Sequence, residues 1–250
     1  MALRKLVAGN WKMHGLSADL EEVRAIAAAA ADYPGVDVAL CVPAILIERA
    51  VRAVPGFAIG GQDVHAAEKG AHTGCTSGPM LLDAGAVLTI VGHSERRDAQ
   101  RESNSDVKAK TEAALSAGLA VILCVGEGID QRESGAAVET VLAQLDGSLP
   151  GTLGEAELAI AYEPISAIGT GKIPTREEVG EMHGAIRAAL RDRFGKEGSQ
   201  IRILYGGSVK ASNAAEIFSI ADVDGALVGG ASLKTADFVP IVAAAAASAV

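Results

Sequence analysis

Leu119-Ala120-Val121-Ile122-Leu123-Cys124-Val125 is a run without one polar side chain. A strand with one wet face would alternate polar and apolar residues. An unbroken apolar run reads instead as a strand covered on both faces, the situation in a parallel sheet under helices. Working outward, comparable β-rich runs occur at Lys5–Gly9, Val36–Val42, Phe57–Gly61, Val87–Gly92, Leu158–Glu163, Arg202–Gly206 and Gly225–Gly229, which brings the total to eight. Between them lie stretches with helical spacing, among them Ser17–Asp32, Asn104–Ala117, Thr175–Phe194 and Lys210–Ile220. Thr175 followed by Glu178 predicts a capping box, and Gly195 a stop for the same helix.

The alternation is βα throughout, with no linker, low-complexity joint or charge block to divide it. That predicts an α/β protein forming one domain over residues 1–250. A doubly wound dinucleotide fold requires Gly-x-Gly-x-x-Gly after the first strand, where this chain has Gly9-Asn10-Trp11-Lys12. Eight βα units in 250 residues fit the closed (β/α)8 TIM barrel, whose chemistry sits at the C-terminal strand ends.

Composition agrees with that reading. Apolar residues make up 49% of the chain and aromatics only 3%, so the core is built from Ala, Val, Leu and Ile. A formal net charge of -9 argues against nucleic acid or an acidic membrane as partner, because both require a continuous basic face. The apolar runs at Met1–Gly9 and Val239–Val250 are too short for a signal core or a membrane span, so a cytoplasmic location is expected. Cys41 and Cys124 sit inside strand-like runs, which speaks against a disulfide framework.

The strand ends carry an unusual set of polar groups. Asn10 and Lys12 follow the first strand, His93, Ser94 and Glu95 the fourth, and Glu163 closes the sixth. Taken singly, each is ordinary loop chemistry: a Lys after a strand is usually solvated, and a Gly pair is usually a turn. Together they would face one mouth. Pro164 disfavours helical geometry at Glu163 and keeps it extended at the strand tip, which suits a general base. His93, beside that carboxylate and a lysine, suits an electrophile for a carbonyl oxygen. Gly207, Ser208, Gly229 and Gly230 follow the last two strands, where barrels frequently bind a phosphate without a large basic patch.

Two other patterns fail. Gly169-Thr170-Gly171-Lys172 is short of a P-loop, since Ser166 and Ile173 occupy the places of its first Gly and its Ser or Thr. His65, His72 and Cys75 share a loop but match no zinc spacing, so no metal is expected.

Several of these motifs are long. They read Ala8-Gly9-Asn10-Trp11-Lys12-Met13, Val91-Gly92-His93-Ser94-Glu95-Arg96-Arg97, Cys124-Val125-Gly126-Glu127, Ala161-Tyr162-Glu163-Pro164, Ala167-Ile168-Gly169-Thr170-Gly171-Lys172, Tyr205-Gly206-Gly207-Ser208 and Leu227-Val228-Gly229-Gly230. Through them the chain resembles the triosephosphate isomerase family over nearly its whole length. The resemblance implies a cofactor-free interconversion of glyceraldehyde 3-phosphate and dihydroxyacetone phosphate through an enediolate. The resemblance also implies a Glu base working beside a neutral His. By the same resemblance Glu163 carries the proton, His93 and Asn10 polarise substrate oxygens, Lys12 offsets the negative charge, and Glu95 supports the site from behind. Gly169, Ser208, Gly229 and Gly230 hold the phosphate, while Pro164, Ile165, Ser166, Ala167, Ile168, Gly169, Thr170, Gly171 and Lys172 form a lid that excludes water.

Two positions depart from the family pattern. Ser166 stands where the family typically has a Trp, whose packing area a serine cannot supply. Cys75 replaces a usual acid in a loop that reaches a partner subunit in the family, so Thr73 and Cys75 are expected at a homodimer interface. The readings left open are a four-carbon sugar phosphate as substrate, and a non-catalytic barrel that binds a phosphorylated metabolite. An aldolase would need a Schiff-base lysine where this chain has Glu163.

Overall fold

The computed structural model of the protein describes residues 3–165 and 174–248. Eight parallel strands close into a barrel in chain order: β1 (Leu6–Asn10), β2 (Asp37–Cys41), β3 (Ala58–Gly61), β4 (Leu88–Val91), β5 (Ala120–Glu127), β6 (Leu158–Pro164), β7 (Arg202–Tyr205) and β8 (Gly225–Val228). The helices described around it are α1 (Leu20–Ala30), α2 (Ile47–Ala53), α3 (Gly78–Asp83), α4 (Ser94–Ala99), α5 (Asn104–Ala117), α6 (Ile129–Glu133), α7 (Ala137–Ser148), α8 (Arg176–Phe194), α9 (Ala214–Phe218) and α10 (Thr235–Ala247).

The apolar run Leu119–Val125 lies mostly in β5, whose two faces are both buried. Ile122 and Cys124 point into the barrel, where they meet Leu6, Ala8, Ala39, Cys41, Leu88, Ile90, Ala159, Ala161, Leu204 and Leu227. The alternate residues Val121, Leu123 and Val125 belong to the larger layer between strands and helices. Small side chains (Ala and Cys) and larger aliphatic ones (Leu and Ile) share this interior equally, because an eight-stranded barrel is only wide enough for side chains to fill. In the outer layer Trp11, Tyr162, Tyr205 and Phe238 supply the bulk, each almost completely buried.

Several helix boundaries follow from their caps. Thr175 accepts the Glu178 N–H at 3.2 Å while Glu178 accepts the Thr175 N–H at 2.7 Å, and Gly195 ends α8. The same reciprocal pair joins Ser103 and Asp106 ahead of α5, which stops at Gly118 in the left-handed region, φ 97°. Two expected helices are shorter than their spacing suggested. Ser17–Asp32 begins with a 3-10 turn over Ser17–Asp19, where the Asp19 carboxylate accepts the Leu16 N–H. Of Lys210–Ile220 only Ala214–Phe218 is helical, because Asn213 accepts the Lys210 N–H and donates to the Ser208 carbonyl, closing a local turn instead.

At the N-terminal end of the barrel Arg202 bridges the carboxylates of Asp37, at 2.7 Å, and Glu157, while Arg4 holds Asp37 at 2.6 Å. That end is fastened by ion pairs. The polar residues expected to carry chemistry lie at the other end.

Candidate active site

Asn10 and Lys12 sit at the end of β1, His93 directly after β4, Glu163 one residue before the end of β6, and Ser208, Gly229 and Gly230 after β7 and β8. All seven line one cavity of about 290 Å³ at the C-terminal mouth. A larger cavity of about 930 Å³ lies at the opposite end among Leu6, Ala58, Leu88, Ile122 and Arg202. Its arginines are already paired and its walls are mostly aliphatic, so the smaller mouth is the candidate for chemistry.

Glu163 is the most buried polar group there, 2% exposed. Its carboxylate accepts the Ser94 N–H and the Ser94 hydroxyl, each at 2.9 Å, and His93 Nε2 lies 3.1 Å from Oε1. His93 caps α4, its Nδ1 accepting the Glu95 N–H at 3.2 Å. A ring nitrogen that accepts a hydrogen bond carries no proton, so the ring hydrogen lies on Nε2, the atom facing Glu163 and the mouth. Ser94 belongs to the Val91–Arg97 motif, and the resemblance assigns it no role. The signal available in the sequence was its place directly after His93 at the end of an apolar run.

Lys12 has a left-handed backbone, φ 51°, unusual for a residue with a side chain. Two bonds hold it there: its N–H donates to Asn10 Oδ1 at 3.0 Å, and Gln62 Nε2 donates to its carbonyl at 2.9 Å. Gln62 also donates to the Cys41 carbonyl at 3.1 Å, tying the turn to β2, a role that nothing in the sequence reading signalled. With Asn10 Oδ1 so engaged, the amide NH₂ is what remains for a ligand.

The Lys12 ammonium pairs with Glu95 at 2.5 Å. Glu95 was expected behind the site, but its side chain is 58% exposed and stands at the rim. Partial burial alone would raise its carboxyl, yet the Lys12 hydrogen bond and neighbouring positive charge leave it below the ordinary carboxylate range.

The phosphate side depends on close backbone approach. A Cβ on Gly9 would lie 2.6 Å from both Leu40 Cδ2 and Ser232 Cβ, so β1 and the turn after β8 meet only because residue 9 has no side chain. Trp11 Nε1 donates to the Ser232 carbonyl at 3.0 Å, and Ser232 Oγ donates to the Gly229 carbonyl at 2.7 Å. The fixed turn places Gly229 beside Lys12, where an added Cβ would be 3.5 Å from Cε.

Cys41 and Cys124 line the barrel interior. Burial pushes the Cys41 thiol up to about 12 and the Cys124 thiol well above its usual range, the latter helped by the Glu163 charge. Cys75 and Thr73 are exposed in the loop between β3 and α3, where the His65 and His72 rings stack with centroids 3.9 Å apart. Among the described residues no three His, Cys, Asp or Glu side chains converge as metal ligands. Pro164 ends β6 and Ile165 follows it, whereas Ser166, Ala167, Ile168, Gly169, Thr170, Gly171 and Lys172 lie outside the described residues.

The family model for triosephosphate isomerase matches residues 5–245. A triosephosphate isomerase of Ruegeria sp. (strain TM1040) is 56% identical, covering 98% of this chain and 99% of that protein. The Dinoroseobacter shibae triosephosphate isomerase is 55% identical over 96% of this chain and 98% of its own. Among solved structures, triosephosphate isomerase from Bartonella henselae superposes with a TM-score of 0.89 at 44% identity, covering 97% of this chain and 99% of that one. Barrel topology, the mouth residues and full-length similarity therefore agree, and the chain belongs to the triosephosphate isomerase family.

Proposed function

We propose that the protein interconverts glyceraldehyde 3-phosphate and dihydroxyacetone phosphate without a cofactor, with Glu163 as the proton carrier. The observation that carries this reading is the convergence of Glu163, His93, Lys12 and Asn10 on one cavity of about 290 Å³ whose far side is the Gly229–Gly230 turn. The cavity adjoins a second one of about 360 Å³ that shares Asn10, Lys12 and His93, a size that suits a small sugar phosphate. No feature of it favours the four-carbon sugar phosphate.

In this reading Glu163 turns from Ser94 toward the substrate, takes a proton from the carbon beside the carbonyl, and returns it to the neighbouring carbon. The His93 Nε2–H and the Asn10 amide donate to the substrate oxygens as they become negative, and Lys12 offsets the charge of enediolate and phosphate. Glu95 holds Lys12 at the rim when the site is free. Ser208, Gly229 and Gly230 receive the phosphate with Gly169, and Pro164 to Lys172 act as the lid, both assignments resting on the sequence resemblance.

A homodimer in the cytoplasm is the finer part of the proposal. Met13, Ile45 and Met80 are 95%, 79% and 60% exposed, apolar side chains that a partner subunit would cover. Met13 and Cys75 line a second cavity, of about 360 Å³, together with Asn10, Lys12 and Gln62, and a partner's Thr73–Cys75 loop would cover that region. No helix among the described residues is long and apolar enough to cross a membrane.

The test is the initial rate on glyceraldehyde 3-phosphate with dihydroxyacetone phosphate detected, beside a Glu163→Ala control. Loss of a general base should lower the rate by about 10²–10⁴. Equally slow parent and control would overturn the assignment.

A further inference from the structure

We propose that Arg132 is a positioning residue for Glu163, locking the ends of β5 and β6 together from the outer side of the barrel wall. Its Nη2 donates to Glu127 Oε1 at 2.7 Å and to the Tyr162 hydroxyl at 2.8 Å, and its Nε reaches the same Glu127 oxygen at 3.1 Å. The Tyr162 hydroxyl donates in turn to Glu127 Oε1 at 3.1 Å. Glu127 closes β5, and Tyr162 immediately precedes Glu163 in β6. Both are essentially buried, at 1% and 0% exposure, so these bonds form where water does not compete.

Alternation along a strand sends Tyr162 to the outer face and Glu163 to the mouth, so fixing one side chain fixes the aim of the other. The wall between them has no slack. A Cβ on Gly126 would lie 2.0 Å from the Glu163 carbonyl oxygen, so the β5 backbone bears directly on the catalytic residue. Gln144 of α7 brackets the same glycine, accepting its N–H at 3.0 Å and donating to its carbonyl at 2.8 Å. A displacement of the β5 end therefore reaches the Glu163 peptide. Arg132 also lies 3.9 Å from Glu178, the partner of Thr175 in the capping box of α8.

The catalytic consequence rests on the isomerase reading, but the placement of Glu163 can be measured without it. Lysine at position 132 keeps a charge for Glu127 and loses the planar fork that spans Glu127 and Tyr162. Arg132→Lys should lower kcat per folded molecule about tenfold or more with KM within about threefold, since misplacing a reacting group by an ångström costs up to about 10². Tyr162→Phe, which removes only the hydroxyl link, should give a smaller fall in the same direction. A crystal structure of Arg132→Lys should show the Glu163 carboxylate shifted from the Ser94 N–H and hydroxyl. Unchanged kcat per folded molecule in an active parent, a change in KM alone, or an unmoved Glu163 in that crystal structure would each overturn the proposal. An inactive parent would overturn the isomerase reading, and the crystallographic result would still decide the positioning role.

Discussion

Glu163 and Ser94 are joined twice, the Ser94 N–H binding one carboxylate oxygen and the Ser94 hydroxyl the other, both at 2.9 Å. With His93 Nε2 at 3.1 Å on Oε1, every close neighbour is a donor. An amide in place of the carboxylate turns one acceptor into a donor, which would face either the Ser94 N–H or the His93 Nε2–H. Glu163→Gln should therefore lose activity by about 10²–10⁴ and also lower stability by about 1–3 kcal/mol, as for a buried polar group left unmatched. Paired measurements of kcat and Tm check this. A full loss of activity with Tm unchanged would show that the arrangement about Ser94 contributes nothing to the fold.

Two glycines near the mouth should respond in opposite ways. At Gly126 an added methyl meets the Glu163 carbonyl at 2.0 Å, and no rotamer change relieves a backbone clash. Gly126→Ala should cost about 3 kcal/mol or more, a fall in Tm of roughly 6–12 °C for a chain of this size, with reduced kcat because the displaced strand carries Glu163. At Gly230 nothing lies within 4 Å of an added Cβ. Gly230→Ala should leave Tm and kcat alone and raise KM severalfold, because the methyl stands where the phosphate approaches the backbone. Equal effects at the two sites would remove the distinction.

The barrel was legible because its strands are buried on both faces and so spell themselves as apolar runs; Val121–Val125 divides cleanly between the interior and the outer layer. The polar mouth was legible because Asn10, His93, Glu163 and the Gly229–Gly230 pair each follow such a run. What escaped were contacts between side chains far apart in the chain. Gln62 holds Lys12 from 50 residues away, and Arg132 reaches Tyr162 across 30. Neither has any local pattern, since a solvated Gln or Arg looks the same in sequence. Asn213 escaped for a different reason: helical spacing over Lys210–Ile220 conceals a side chain that competes with the helix for the same backbone groups.

Arg187 is 3% exposed and binds Asp222 at 3.0 Å and Asp224 at 2.6 Å while donating to the carbonyls of Gly198 and Ile201. Burial raises the Asp224 carboxyl, partly offset by the Ile203 N–H and the Arg187 charge. Arg187→Met fills similar volume and leaves Asp224 without this cation. Such removals cost about 3–5 kcal/mol, so the denaturation midpoint should fall sharply while activity per folded molecule persists. A midpoint close to that of the parent would mean that Asp224 is stable without its arginine.

His183 should make the fold sensitive to acid. Its Nδ1 donates to the Asp222 carbonyl at 3.0 Å, and its Nε2 is buried with no hydrogen-bond partner among the described residues. Burial pushes the imidazole down to about 4, against partial support from Asp222. Unfolded, the ring takes a proton near its ordinary value of about 6.5; folded, it stays neutral until about 4. The unfolded state therefore binds more protons between those limits, and stability declines as pH falls through them, by up to about 1.4 kcal/mol per pH unit, with no contribution above the window. Asp63 and Asp224, whose carboxyls burial raises, titrate in acid as well, so the parent curve alone does not isolate the histidine. His183→Asn keeps a donor for the Asp222 carbonyl and removes the titration. The difference between parent and variant in unfolding free energy should grow in the variant's favour from pH 6.5 toward 4, and a constant offset would show that His183 does not set the acid limb.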